Sequence, residues 1–595
     1  MIWYFHDAAR SKQEREAIER LASQVPWMTP RGLRVDGSLR LIWDIDISTG
    51  DRTYPVSLRY PNHFPYSPPV VLPRGDSDRW SSHQYGPGGE LCLEYGPDNW
   101  HPEITGADML VSALRLLQGE NSAGEEAAVP SRHKTTLGQD VRNRFSRFVI
   151  TRAAVELFSM LDDGVVVSGK AVGALHEESW VNAISSILLP SGETWIEPEM
   201  PEPFRTEGWE REIAGFKWPE DVRLPSVKTP ADLRAVAAER GLAIPNVSHV
   251  LLFQGSSVHV YGLGDEDGQV WRPVVIMPPP PSTRLDTDHT VLAERRIGVV
   301  GCGTMGSKIA VMLARSGAKR FLLVDDDIML PDNLVRHDLD WREIGTHKAD
   351  SVARRIQLVH PGAICEKRRH QLGGQESSGS VETLIESLAE CDLVIDATAN
   401  PTAFNYLCAA VAVTKTALVW AEVFGGGFGG LIARHRPGHE PDPASMRRTI
   451  EAWCTDQGKP IPRAVTDYGG TEEPALIADD ADVTAIAAHA ARLAIDTLIA
   501  RTPSAFPNSV YLVGLAKHWI FDAPFDTYPI DVGQPTSSDA APPLNPEETA
   551  AEFARIVQML ADHQNAATLA DSGNQTSTAG TPPSQGSGDR RAADG

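Results

Sequence analysis

"RIGVVGCGTMGSKIAVMLARSGAKRFLLVDDD", residues 296–327, decides how this chain is read. A short apolar run ends at Val300, glycines follow at 301, 303 and 306, and a helical pattern begins among them. Glycines at a strand-to-helix turn let backbone N–H groups approach a phosphate at the positive end of the helix dipole. A second apolar run closes on Asp325, nineteen residues after Gly306, where a carboxylate can bind ribose hydroxyls. The spacing predicts a nucleotide site formed by Gly301, Gly303, Gly306 and Asp325. Taken alone, it suits NAD as well as ATP.

The next residues narrow the choice. "VDDDIMLPDNLVRHDLDWREIGTHKAD", 324–350, holds Asp325, Asp327, Asn333, Arg336 and Lys348 in one register. This stretch resembles the ubiquitin-activating enzymes and the related adenylyltransferases of thiamine and molybdopterin synthesis, over roughly residues 290 to 435. The resemblance implies a carboxylate attacking the α-phosphate of ATP, with pyrophosphate released. Arg336 and Lys348 are the residue types that neutralise charge growing in such a transition state. Asp325, Asp327 and Asn333 would hold the nucleotide. The family usually has a second Asp after the fourth strand to help hold Mg²⁺, whereas this chain reads "DATANPTAFN" with Ala399 there. Asp396 or Asp327 is then the expected metal ligand, the alternative being weaker metal binding.

Outward from this region, "CDLVID" and "TALVWAE" continue the alternation of apolar runs with helical stretches, the pattern of a parallel sheet covered on both faces. Residues 286–535 are therefore read as an α/β Rossmann-like adenylation domain. Before it, "PPPPSTRLD" reads as a stiff linker closing a small α+β connector, 161–285, with an antiparallel sheet and a helix in "PADLRAVAAERGL". After it, residues 536–595 turn to Pro, Ser, Asp and Gly. They read as a mostly disordered tail with one helix in "PEETAAEFARIVQMLADH".

The first 160 residues alternate differently. A helical run, "SKQEREAIERLAS", precedes strands in "RLIWDIDIS", "TYPVSLRY" and "PVVLP". A helix then opens at Thr105, with Asp108 as its capping partner. Between them lies "GGELCLEYGPDNWHP", residues 88–102. With "NHFPYSPPVVLP" upstream and eight residues from Cys92 to Trp100, the segment is similar to ubiquitin-conjugating enzymes over about residues 35 to 120. That resemblance implies an α+β conjugating-like fold in which Cys92 carries an acyl group as a thioester and yields it to an amine. At the offset of the family's usual oxyanion Asn this chain has Gln84, preceded by His83. Its amide offers the same donor on a longer stem, and the two readings left open are that it takes the Asn's role or that the conjugating fold is catalytically dead. His133 is a second candidate for local acid–base work.

An activating enzyme that hands on its cargo needs a cysteine of its own. Cys454, in the loop-rich "RRTIEAWCTDQGKPIPR", is the candidate, with arginines and a lysine nearby to favour the thiolate. The other four cysteines are expected to be small buried groups. No pair has C-x-x-C spacing, which argues against a structural zinc ribbon.

The chain has 595 residues, a net charge of −24 and 42% hydrophobic content. An acidic surface repels nucleic acid and anionic lipid, and no apolar run is long enough to cross a bilayer. A cytoplasmic protein is expected. Joining the two resemblances gives a fusion like the bacterial ubiquitin-transfer-like proteins of cyclic-oligonucleotide antiphage operons. That implies ATP and Mg²⁺, a homodimer, a target amine, and a protein cargo with a free C-terminus, there a nucleotidyltransferase that makes the cyclic oligonucleotide. The expected order is adenylate, thioester on Cys454, thioester on Cys92, amide. The alternatives are an adenylyltransferase that activates a sulfur carrier, and a non-catalytic scaffold with Cys92 idle. NAD-dependent reduction is the weakest, since nothing after the glycine loop provides for a nicotinamide substrate.

Overall fold

The computed structural model describes residues 2–50, 52–75, 80–81, 83–85, 88–120, 145–265, 268–277, 285–374, 378–459, 478–535 and 545–574. The chain forms two compact units, Met1–Asn143 and Arg144–Gly595.

In the first unit the helix Ala8–Gln24, capped by Asp7, precedes a four-strand antiparallel meander. Its strands, Met28–Val35, Leu41–Ser48, Thr53–Arg59 and Val70–Pro73, pair in sequence order. Alternate residues Ile45, Ile47, Tyr54, Val56 and Leu58 point inward and meet Leu110, Ala113 and Leu117 of the helix Gly106–Glu120. That helix starts as its sequence predicts: Thr105 N–H donates to Asp108 Oδ2 at 2.8 Å. A buried carboxylate joins the layers. Glu14 accepts from Tyr60 Oη and from the Gly106 N–H, both at 2.7 Å, and burial raises its pKa. The Gly106 site admits no side chain, because a Cβ there would lie 2.0 Å from Tyr60 Oη.

The second unit contains two sheets. The first differs from the small antiparallel sheet expected between 161 and 285. It has eight strands, and Ser146–Val149 is one of them, pairing in parallel with Ser179–Leu188 and with Val274–Ile276. The helix Arg152–Met160 contributes Ala154, Leu157 and Phe158 to this sheet's core, so residues 145–160 belong here and not with the first unit. Sequence reading missed this because a four-residue strand carries almost no periodic signal. The helix Pro230–Ala238 is present, with a Thr229–Asp232 capping box.

The other sheet runs Ile364–Arg368, Arg320–Val324, Arg296–Val300, Leu393–Asp396, Ala417–Val423 in parallel. Gly429–His435, Val510–Gly514 and Thr527–Ile530 extend it antiparallel. Each parallel strand reads as a near-continuous apolar run because both faces are covered. The helices Thr304–Arg315, Lys348–Val359 and Asp480–Ile499 cover one face, and Pro401–Thr414 and Pro443–Asp456 the other. Strand order reverses between Arg296–Val300 and Leu393–Asp396, and such a reversal opens a crevice at the strands' C-terminal ends. Past this sheet the helix expected in the tail is present and runs further than expected, over Pro546–Asn574.

Candidate functional site

The crevice is built from the quoted glycines. Gly301 holds φ +84° and donates its N–H to Val324 O at 2.9 Å, which folds the loop over the neighbouring strand. A Cβ on Gly306 would lie 1.8 Å from Gly301 O, so the helix Thr304–Arg315 approaches the loop closely only with glycine there. A Cβ on Gly303 would meet nothing within 4 Å, and that open side borders a cavity of about 240 Å³.

Asp325, Asp327 and Lys348 line the same cavity. Both Asp325 oxygens accept backbone N–H groups, from Cys302 at 2.7 Å and Asp327 at 2.8 Å, while burial pushes its pKa up. Lys348 is buried at the start of the helix Lys348–Val359, its Nζ 2.7 Å from Asp327 Oδ2. Asn333 and Arg336 are not among the lining residues. Asn333 Oδ1 accepts the Leu330 N–H at 3.0 Å and closes the turn Pro331–Val335, and Arg336 ends that turn.

His337, one residue past the expected arginine, was missed. Its ring is buried, with Nε2 2.9 Å from Cys302 O and Nδ1 accepting the Leu339 N–H at 3.2 Å. Burial lowers its pKa to about 4, so it is the neutral Nε2–H form that fastens the glycine loop to the turn carrying Asn333 and Arg336. Thr398 and Asn400, also missed, close the cavity on the Leu393–Asp396 side. "ATAN" gave no signal for them, because the expectation there was a carboxylate.

Of the two expected metal ligands, Asp396 and Asp327, only Asp327 lines the cavity beside the glycines. Asp396 is 4% exposed, and its Oδ1 accepts both the N–H and the hydroxyl of Thr398, at 2.9 and 2.6 Å. Burial raises its pKa, and it faces a second cavity, not the one beside the glycines. The carboxylates beside the glycines are Asp325, Asp326 and Asp327, with oxygens within 4.8 Å of one another. These hard oxygen donors suit Mg²⁺. Ala399, in the place of the family's second Asp, stands at φ +52°, a conformation Asp tolerates better than Ala.

The second cavity, about 250 Å³, shares Asn400 with the first. Asn400 caps the helix Pro401–Thr414, accepting from Thr402 N at 2.8 Å. Arg447 lies over the Phe404 ring at 5.2 Å, with Nε 3.5 Å from Glu451. Its charge bears on Asp396 and on Glu422, whose pKa burial also raises. The cavity thus places a cation among carboxylates next to the nucleotide-type crevice.

Cys454 is not in a loop. It sits on the helix Pro443–Asp456, fully buried, one step beyond Met446 and Ile450 on the same face. That i, i+4, i+8 spacing was legible as a core stripe. Burial pushes its thiol up to about 11 and the Glu451 carboxylate adds to this, so the expected activation by nearby cations is absent.

Cys92 is half-buried in the loop between Val70–Pro73 and Gly106–Glu120, its N–H donating to His83 O at 2.7 Å. Gln84 is 4% exposed and braces this loop: Oε1 accepts the Trp80 N–H at 2.8 Å and Nε2 donates to Gly89 O at 3.0 Å. Trp100 Nε1 donates to Pro65 O at 2.6 Å and joins the two halves of the motif. Asn99, beside Trp100, spans Gly96 N and Glu94 O at 2.8 and 3.0 Å. His133 lies outside the described residues.

A glycine loop at a strand-order reversal, an acidic strand end and a buried lysine define a nucleotide-binding α/β domain. Residues 285–459 match the model of the ThiF family, so the chain carries a ThiF domain in its C-terminal half. Among curated relatives, the uncharacterized protein y4qC of Sinorhizobium fredii is 26% identical over 78% of this chain and 85% of its own length. The ATP-dependent ubiquitin transferase-like protein Cap2 of Pseudomonas aeruginosa is 34% identical over 20% of each chain, so the chain spans about a fifth of that relative. Among solved structures, E. coli MccB with ATP is 15% identical over 43% of this chain and 69% of that one, with a TM-score of 0.33. No described helix is long and apolar enough to cross a membrane.

Proposed function

We propose that the chain activates the C-terminal carboxylate of a protein with ATP, as an acyl-adenylate, and conjugates it through a thioester on Cys92 to a target amine. The observation that carries the reading is the pair of neighbouring cavities that have Asn400 in both linings, one beside the glycine loop with Lys348 and Asp325–Asp327, the other lined by Asp396, Glu422 and Arg447. Adenylation needs two substrates meeting at one phosphorus, and two cavities bordering the same residue accord with that need. The names of the Cap2 relatives accord with this.

Each group has a task. With the Gly301 and Cys302 N–H groups given to Val324 O and Asp325, it is the start of the helix Thr304–Arg315 that favours phosphate. Lys348, held by Asp327, stands where charge develops, and Arg336 is carried on the turn that His337 fastens to the loop. Asp325–Asp327 would hold Mg²⁺, which supplies charge neutralisation on the phosphates. The cargo's terminal residues enter the Asp396–Arg447 cavity. From the family resemblance, the cargo is a cyclic-oligonucleotide-synthesising nucleotidyltransferase, the setting antiphage defence in the cytoplasm, and the active form a homodimer.

Lys348→Ala tests the reading through ATP–pyrophosphate exchange. Loss of one charge-stabilising donor costs about 100-fold or more. Exchange at wild-type rate in Lys348→Ala refutes the assigned site.

A further inference from the structure

The chain has six cysteines, and the structure describes all of them. Five lie in the second unit, and each serves packing. Cys302 is fully buried inside the glycine loop. Cys391 is buried with its Sγ 3.7 Å from Ser387 O. Cys365 packs against the core under Lys348–Val359, and Cys408 against the opposite core. Cys454 shares that second core with Met446 and Ile450 and is fully buried. A cysteine that accepts a polypeptide needs a thiolate, and it needs room beside the sulfur for the tail. Burial works against the first as well, pushing Cys365, Cys391 and Cys408 up to about 12. Cys92 is half-buried, as Cys365 and Cys408 are, but it lies in a turn-rich loop outside any helix or strand and is not one of the residues packed against its unit's core.

We propose that the acyl group passes from the adenylate directly to Cys92, with no thioester on any cysteine of the adenylating unit. This rests on the function proposed above. The Cys92 sulfur attacks the acyl carbon of the mixed anhydride and a C–S bond forms. The C–O bond to the phosphate breaks, AMP leaves with the electron pair, and the thiol proton passes to solvent. Each thioester consumes one ATP and releases AMP and pyrophosphate, with no other co-reactant. The adenylating unit then works as an adenylyltransferase whose product Cys92 consumes.

The test uses the full chain expressed with the proteins encoded beside its gene, as wild type, Cys92→Ala, Cys454→Ala and Cys454→Val, analysed by intact mass with and without reductant. Direct transfer predicts a thiol-sensitive adduct on Cys92 in the wild type and both Cys454 variants, at levels within about twofold. It predicts none in Cys92→Ala. An adduct on Cys454 in Cys92→Ala overturns it, as does loss of the Cys92 adduct in a Cys454 variant whose melting temperature is unchanged. Because a core substitution can unfold a chain, native wild type is also alkylated with iodoacetamide and mapped by peptide mass. Cys92 modified, with Cys454 protected until denaturant is added, supports the proposal; native Cys454 reacting as fast as Cys92 overturns it. Pyrophosphate exchange without any adduct removes direct transfer alone, whereas absence of both removes the proposed function beneath it.

Discussion

Gly303→Ala and Gly306→Ala separate a glycine kept for a ligand from one kept for the fold. At Gly306 a Cβ would lie 1.8 Å from Gly301 O and 3.2 Å from the Ala397 Cβ. Ordinary contact begins near 3.4 Å, so the helix start must retreat by about 1.5 Å from the loop. Overpacking of that kind costs about 1–3 kcal/mol, and a 1 Å misplacement costs about 100-fold in turnover. Gly306→Ala should therefore lower the melting temperature by a few °C and abolish nucleotide response together. Gly303 meets no atom within 4 Å and holds φ −73°, which any residue adopts. Gly303→Ala should leave stability unchanged or raise it by about 0.4–1 kcal/mol through the unfolded chain. Its methyl group nevertheless projects toward the cavity where phosphate would approach the backbone. The assay is thermal unfolding with and without ATP, beside calorimetric titration. Wild-type ATP affinity in Gly303→Ala would refute the placement of phosphate at this loop.

Other perturbations read other links. The fall of His337 from 6.5 to about 4 is worth about 3 kcal/mol, all of it present above pH 6.5 and lost as pH falls through 4, because the unfolded chain binds the proton first. His337→Gln, which keeps an N–H for Cys302 O, should make the melting-temperature profile between pH 4 and 6.5 shallower, with the share of His249, also lowered to about 4, remaining; an unchanged slope sinks that account. Glu14 has the opposite sign, its raised pKa making stability decline as pH rises above the ordinary carboxylate value, so Glu14→Gln should remove that decline from a pH series of denaturant melts. Cys454→Ala should cost about 1–2 kcal/mol through the gap left beside Met446 and Ile450, and an exposed sulfur would instead show no loss in urea unfolding.

What could be read in the sequence was local. A glycine whose neighbours are a strand end and a helix start needs no tertiary information: Gly301, Gly303 and Asp325 line one cavity, and Gly306 packs against Gly301 O behind it. The same holds for the caps at Thr105–Asp108 and Thr229–Asp232, where both partners lie within one turn. The alternation of apolar runs and helices gave the parallel sheet for the same reason. Tertiary structure decided whatever depended on direction or on distant partners. Asp396 pairs with Val300 across the strand-order reversal, yet its carboxylate turns to Thr398 and the second cavity, a choice of side that no spacing encodes. Gln84 was free to brace its own loop because Trp80 and Gly89 fold back on it. The strand Ser146–Val149 found its sheet only through pairing with residues 179–188 and 274–276. Cys454 shows the same division within one residue. Its chemistry as a thiol belongs to the sequence, but whether that thiol can ionise depends on the water excluded by Met446 and Ile450, and exclusion of water is a property of the packed core.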